Sequence, residues 1–97
     1  MSIKKEPKFD ALFKAILALE SIDEAYDFFD DLCTMAEVSE MRDRFEVAGL
    51  LLEGKTYAQI ENETNMSSAT ISRVNRCIQY GPGAYRLAHH RIKPKRA

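Results

Sequence analysis

The sequence predicts an all-α fold, and three observations lead to that prediction. Apolar residues recur through most of the chain with the period of a helix, about 3.6 residues. Capping-box patterns, in which Ser or Thr is followed three residues later by Glu, open two of these segments. No segment of useful length alternates polar and apolar residues as a strand does. We expect one domain of six helices over residues 9–92, with a flexible arm at 1–8 and a basic tail at 93–97.

Two apolar helices are predicted first. The apolar stripe of the first, over about 9–20, indicates a helix buried along a wide face. A capping box of Ser21 and Glu24 starts the second helix, which has aromatic residues inward and aspartates outward. The stripe of the first helix consists of Phe9, Leu12, Phe13, Ile16 and Leu17.

The third and longest helix is predicted over about 35–53. Thr34 and Glu37 form a second capping box at its start, and Gly54 is placed to end it as a C-cap. Gly49 lies inside this helix, where glycine costs about 1 kcal/mol relative to alanine. Either the close approach of another helix or simple tolerance would explain it.

Residues 56–76 have the pattern of a helix-turn-helix. Ile60 is expected to face inward on the first motif helix, and Met66 to plug the turn. Asn65 lies where the chain turns sharply, and asparagine tolerates left-handed geometry. Ile71 and Val74 anchor the second helix, which in such motifs enters the DNA major groove. A break at 80–83 precedes a last helix over about 84–92.

Charge is divided unevenly between the two halves of the chain. Residues 1–54 contain six Lys or Arg and thirteen Asp or Glu, a net of −7. Residues 55–97 contain eight Lys or Arg and two acids, a net of +6, within an overall charge of −1. Basic residues neutralise phosphates, so the second half is the expected DNA-facing half. The tail from Lys93 onward is equally well explained as a solvated end.

Other classes of function have little support in the sequence. Cys33 and Cys77 are far apart and His89 and His90 are adjacent, so no metal site is expected, and both cysteines are predicted to be reduced core residues. No nucleophile–base pair or phosphate loop indicates an enzyme, and no cofactor is expected. No apolar run is long enough to span a membrane and the first residues lack the apolar region typical of a signal peptide, so we expect a cytoplasmic protein.

Several runs of the sequence resemble the Trp repressor superfamily. The resemblance is clearest in 51–54 and in Ala69-Thr70-Ile71-Ser72-Arg73. Runs 29–37, 54–57 and 76–81 resemble, more specifically, the YerC/YecD group of Trp-repressor-related proteins. The resemblance covers about residues 9–92 and implies a six-helix subunit in an intertwined homodimer, acting as a transcriptional regulator on a palindromic DNA operator.

The resemblance also implies a ligand pocket, and here the chain departs from the family. Thr34, Arg44 and Arg73 match residues that hold tryptophan in the Trp repressor. Val74, however, replaces a glycine that leaves room for the indole ring, and Cys77 replaces a serine that meets the amino group. We therefore expect no tryptophan corepressor, and leave open a different small effector or none. Capping alone explains Thr34, a surface ion pair explains Arg44, and a phosphate contact explains Arg73.

The expected DNA contacts combine both lines of reasoning. Residues 67–70 at the start of the second motif helix should approach base edges, and the remaining candidates should bind phosphates, with Lys55 nearby. Ala58 and Glu61 stand where the family has DNA-contacting basic residues. The alternative is a helical protein-interaction module, which the acids Glu61 and Glu63 favour. The candidate DNA-binding residues are Thr56, Ser67, Ser68, Ala69, Thr70, Ser72, Arg73 and Arg76.

Overall fold

A computed structural model of the chain describes residues 2–93, and these residues form six α-helices joined by short turns. No strand occurs within that range, so the all-α prediction is confirmed. Of the predicted terminal segments, Met1 and residues 94–97 lie outside the described residues. The helices are α1 (Pro7–Leu17), α2 (Ile22–Leu32), α3 (Met35–Leu52), α4 (Tyr57–Thr64), α5 (Ser68–Tyr80) and α6 (Ala84–Ile92).

The boundaries of α1 differ from the predicted range of 9–20. The helix begins at Pro7, so Pro7 and Lys8 belong to it rather than to the arm. Proline fits the first turn of a helix because its fixed φ is already helical and its missing N–H would have no partner there. The helix ends at Leu17, and the N–H of its C-cap, Ala18, donates to the Lys14 carbonyl at 3.0 Å and the Ala15 carbonyl at 3.2 Å.

Of the two predicted capping boxes, the first is only half formed and the second is complete. The Ser21 hydroxyl accepts from the Glu24 N–H at 3.1 Å, but the Glu24 carboxylate accepts from the Glu20 N–H at 2.9 Å rather than from that of Ser21. At the start of α3, the Thr34 hydroxyl accepts from the Glu37 N–H at 3.2 Å, and the Thr34 N–H donates to the Glu37 carboxylate at 2.8 Å. Hydrogen bonds from the backbone and then the side chain of Thr34 lower the pKa of Glu37, since they favour its ionised form.

The chain divides into two compact units whose boundary falls inside α3, between Val38 and Ser39. In the first unit, none of residues 2–38 is buried. Its helices nevertheless carry large apolar side chains, and a helix with an apolar stripe must bury that stripe against another element to be stable. The first unit therefore leaves its own apolar surface uncovered. Its exposed apolar side chains include Phe9, Phe13, Leu17, Ile22, Tyr26, Leu32 and Met35.

The second unit contains the hydrophobic core of the chain. Helices α3, α4 and α5 each contribute fully buried side chains, and Tyr85 of α6 packs against them. Ile60, Ile71 and Val74 are 0–1% exposed, which confirms their predicted inward positions. Met66 packs against this core from the turn, as predicted. The buried residues are Val47, Ala48, Ile60, Ile71, Val74 and Ile78.

The end of α3 determines where the helix-turn-helix begins. Gly54 has φ +88°, as the predicted C-cap requires. Its N–H donates to the Leu51 carbonyl at 3.0 Å, and the Lys55 N–H donates to the Leu50 carbonyl at 3.1 Å. Together these bonds hold Lys55 immediately before the first motif helix.

Neither cysteine belongs to the buried core. Cys33 is half-buried in the first unit and Cys77 is exposed, so the expectation of core positions was wrong for both. For Cys77 the reason lies in the periodicity of α5, because Ile71, Val74 and Ile78 occupy the core side of the helix. Cys77 follows Val74 by three residues but is rotated onto the outer side.

Candidate nucleic-acid interface

The first motif helix, α4, begins at a complete capping box. The Thr56 hydroxyl accepts from the Gln59 N–H at 3.2 Å, and the Thr56 N–H donates to the Gln59 side chain at 2.9 Å. The exposed Thr56 side chain is thus held in one orientation by a bond within the motif. Its hydroxyl proton stays available to a phosphate oxygen, because the hydroxyl is the acceptor in the capping bond.

A tight turn links α4 to α5. Asn65 has the left-handed backbone (φ 59°, ψ 18°) expected from the sequence, and its N–H donates to the Glu61 carbonyl at 2.9 Å. The Thr64 hydroxyl donates to the Ile60 carbonyl at 2.7 Å and accepts from the Met66 N–H at 3.2 Å. The turn is therefore fixed by short-range hydrogen bonds above a buried Ile60.

Two of the four residues expected at base edges are engaged with each other. The Ser67 hydroxyl caps α5 by accepting from the Thr70 N–H at 3.2 Å, and it lies 3.1 Å from the Thr70 hydroxyl. Thr70 is also half-buried. Ser68 and Ala69 are exposed and are not part of this pair. Fewer side chains at the start of α5 are therefore free to contact DNA than the sequence indicated.

The outer side of α5 presents a continuous stripe of candidate contacts. Ala69, Ser72, Arg73 and Arg76 follow the spacing i, i+3, i+4, i+7, which places them on one face of a helix. All four are exposed, whereas the opposite face is packed into the core. These four residues, together with Cys77, line an open groove along the helix. We call this surface the α5 stripe.

The basic residues of the motif differ in whether they are paired with an acid. Among residues 2–93, neither Arg73 nor Arg76 forms an ion pair, so both guanidinium groups of the stripe are available to a phosphate. Lys55 differs, because its Nζ atom lies 3.1 Å from Oε1 of Glu63. Exposed ion pairs of this kind contribute up to about 1 kcal/mol to stability.

The candidate effector residues are only partly brought together. Arg44, Arg73 and Val74 line one cleft of about 290 Å³ in the second unit, with Glu40 and Asp43. Val74 contributes little open space there, because it is 1% exposed and belongs to the core. Arg44 pairs with Glu40 at 3.7 Å, the surface ion pair considered from the sequence.

Two effector candidates remain, Cys77 in the second unit and Thr34 in the first. Cys77 lines the groove of the α5 stripe and a second pocket beside α6, not the cleft of Arg44. Thr34 belongs to the first unit, where its backbone and hydroxyl are used in the Glu37 capping box. Within residues 2–93, no group of three or more His, Cys, Asp or Glu is arranged to hold a metal ion. Nor does that range contain a helix with the length and hydropathy needed to span a bilayer.

One functional contact was missed in the sequence. Lys55 was expected near phosphates and Glu63 was taken to favour a protein-interaction module, but their side chains are paired. In the sequence, the only indication of this pair is that Lys55 and Glu63 carry opposite charges and stand eight residues apart, at the two ends of one short helix. The contact also depends on the turn after Gly54, where the Lys55 N–H is bonded to the Leu50 carbonyl.

Comparison with known proteins finds the same sequence pattern and fold. The family model described as "Trp repressor protein" matches residues 7–93. The chain is 52% identical over 86 residues to the uncharacterized protein YerC of Bacillus subtilis (strain 168), a match that covers 89% of this chain and 83% of YerC. These matches confirm the resemblance that the sequence motifs indicated.

Two solved structures share the architecture. A Trp repressor candidate from Staphylococcus aureus is 44% identical with a TM-score of 0.88, over 96% of this chain and 93% of that one. A TrpR-like protein from Eubacterium eligens ATCC 27750 is 45% identical with a TM-score of 0.88, over 96% of both chains. The six-helix arrangement is therefore shared with proteins of this group.

Proposed function

The chain belongs to the Trp repressor family, and we propose that it is a sequence-specific DNA-binding transcriptional regulator, a repressor acting in the cytoplasm as a homodimer. The family is one of DNA-binding regulators rather than enzymes. The observation on which the proposal rests is the α5 stripe, an exposed row of Ser72, Arg73 and Arg76 on the second helix of the motif. Its position opposite the core leaves it free to enter a groove of DNA.

The proposed contacts divide into two kinds. Ser68 and Ala69 approach base edges at the start of α5, where small side chains allow the helix to lie close to the groove floor. Ser67 and Thr70 stabilise that start through the contact between their hydroxyl groups. They bind DNA through the hydroxyl hydrogen atom or lone pairs that this contact leaves free. The phosphates are bound by Thr56 and by the polar residues of the α5 stripe, which are Ser72, Arg73 and Arg76. These contacts set the position of the helix along the DNA.

The proposed dimer is supported by the uncovered apolar surface of the chain. None of residues 2–38 is buried. Helix α6 has no buried residue either, and its apolar side chains Leu87 and Ile92 are 50% and 65% exposed. A second copy of the chain would cover these helices. Two motifs related by twofold symmetry would then read a palindromic operator, whose half-sites lie about one DNA turn apart.

We propose that tryptophan is not the corepressor. The isopropyl group of Val74 is packed in the core, and the cleft beside it is lined by the carboxylates of Glu40 and Asp43 as well as by Arg73. The same cleft, which Arg44 also lines, is the observation that favours the second candidate, a regulator that needs a different small effector.

Selection from sheared genomic DNA by the purified protein, in roughly physiological salt and without added ligand, tests the proposal. A palindromic motif enriched by the wild-type protein is the expected result. Parallel selections with added tryptophan and with a metabolite extract separate the effector hypotheses. Absence of any enriched sequence in all three selections would contradict sequence-specific DNA binding.

A further inference from the structure

We infer that Glu63 holds Lys55 in an ion pair that withdraws one cation from the DNA-facing surface, so that Glu63 lowers the affinity of the protein for every duplex. This inference rests on the proposed function, because it concerns the same surface. The observation behind it is the 3.1 Å contact between Lys55 Nζ and Glu63 Oε1, which is both a hydrogen bond and an ion pair.

The backbone places Lys55 at the edge of the motif. Its N–H donates to the Leu50 carbonyl at the end of α3, and it directly precedes Thr56, the capping residue of α4. Glu63 lies in the last turn of α4, one residue before the end of the helix. The pair thus runs alongside the first motif helix and joins its two ends.

Folding stability does not account for this pair. The Lys55 and Glu63 side chains are 37% and 44% exposed, and ion pairs exposed to this extent contribute little to the folded state. A carboxylate in the last turn of a helix is also disfavoured by the helix dipole. We therefore expect the charge of Glu63 to affect binding rather than folding.

The consequence for DNA binding follows from counterion release. A lysine that neutralises a phosphate adds about 0.9 to the slope of log affinity against log salt on duplex DNA. While Lys55 is held by Glu63, the pair has no net charge and makes no such contribution. Removing the carboxylate frees Lys55, and both the affinity and the salt dependence should rise, whatever the base sequence.

Fluorescence anisotropy with a labelled mixed-sequence duplex about two helical turns long is the test, carried out with the full chain across a range of salt concentrations. Glu63→Gln is compared with Glu46→Gln, which changes the net charge equally at an exposed position of α3, outside the motif. Among residues 2–93, Glu46 forms no ion pair. Lys55→Met is measured alone and together with Glu63→Gln, and circular dichroism confirms that each variant is folded.

We expect Glu63→Gln to steepen the salt slope by about one, so that its advantage over wild type falls roughly three- to fourfold between about 50 and 200 mM salt. Glu46→Gln should leave the slope unchanged, and Lys55→Met should cancel the gain from Glu63→Gln in the double variant. Lys55→Met alone leaves the Glu63 carboxylate unpaired and should bind no more tightly than the wild type. Equal slopes for the two glutamine variants, or a slope of the double variant as steep as that of Glu63→Gln, would overturn the inference while leaving the proposed function intact. If neither the wild type nor any variant binds, the proposed function fails, and the inference fails with it.

Discussion

The imidazole ring of His89 in α6 lies against the backbone of Gly49 in α3. A Cβ atom on Gly49 would be 3.5 Å from Nδ1 and 3.6 Å from Cε1 of this ring, which is ordinary van der Waals contact. Nε2 of the same ring is 3.9 Å from the carboxylate of Glu53, one turn further along α3. The space at Gly49 therefore admits one methyl group, and close helix contact does not by itself require glycine there.

Gly49→Ala is expected to stabilise the protein. The methyl group fits against His89, and alanine removes the cost of about 1 kcal/mol that glycine carries inside a helix. Gly49→Leu should instead destabilise it, because a branched side chain would displace the ring. Urea denaturation at a fixed protein concentration measures both changes, and a destabilised Gly49→Ala variant would show that the contact is tighter than the distances indicate.

Ala69→Glu is expected to abolish DNA binding. The substitution places a carboxylate at an exposed position of the α5 stripe, where it would face the phosphates and base edges. Gln79→Glu is the matched control, since it adds the same charge at an exposed position near the other end of α5. Mobility-shift titration compares the two, and retained binding by Ala69→Glu would mean that α5 is not the reading helix.

Arg76→Ala should weaken binding to all sequences and reduce the salt slope by about one, because it removes one phosphate contact. Arg76→Lys keeps the positive charge and should retain the wild-type slope, although it loses the two-pronged geometry of a guanidinium group. The measurement is binding affinity across a salt series. An unchanged slope for Arg76→Ala would remove this residue from the contacts.

Leu17→Glu should disrupt the proposed homodimer. Leu17 is 84% exposed in the single chain, so a monomer would tolerate the change with little loss of stability. In a dimer that covers α1, it would bury a charge in place of an apolar group worth about 1.5–3 kcal/mol per chain. Light scattering at micromolar concentration should give twice the chain mass for wild type and for Lys14→Glu, an exposed position off the apolar stripe, and the mass of one chain for Leu17→Glu.

The capping box of α3 predicts a pH dependence of stability. Hydrogen bonds from Thr34 lower the pKa of Glu37 in the folded protein, so its contribution is complete above the ordinary glutamate pKa and is lost as the pH falls through the lowered value. The stability difference between wild type and Glu37→Ala should therefore shrink in the acid range. Urea midpoints across pH test this, with Glu46→Ala, exposed on the same helix, as the control. A difference that is constant with pH would show that the carboxylate is not ionised in the cap.

Much of the site could be predicted because the relevant interactions are local. Ile71 and Val74 were placed in the core by the helical period, and Asn65 was placed in a left-handed turn by the few residues that tolerate this geometry. Ser67, which caps α5, lies directly before an apolar periodic segment, where serine is a preferred cap. In each case the interaction spans no more than about one helical turn, so sequence spacing determines it.

Other features depended on which residues the fold brings together. The exposure of Cys77 and the half-burial of Thr70 follow from the rotation of α5 about its own axis relative to the core. The sequence determines this rotation only to within a fraction of a helical turn. The start of α1 at Pro7 rather than Phe9 shows that an apolar stripe identifies the buried part of a helix and not its first turn.

By itself, the sequence determined the all-α class, the helix-turn-helix, the caps and the family, because these rest on periodicity, short spacing and motif identity. Only the tertiary structure decided that Lys55 is held by Glu63, that Arg44, Arg73 and Val74 share one cleft without Cys77, and that His89 lies against Gly49. The physical reason is that these contacts join residues on different helices or at the two ends of one helix. Their distances depend on helix packing and on the path of the chain at the helix ends, which no local pattern of residues specifies.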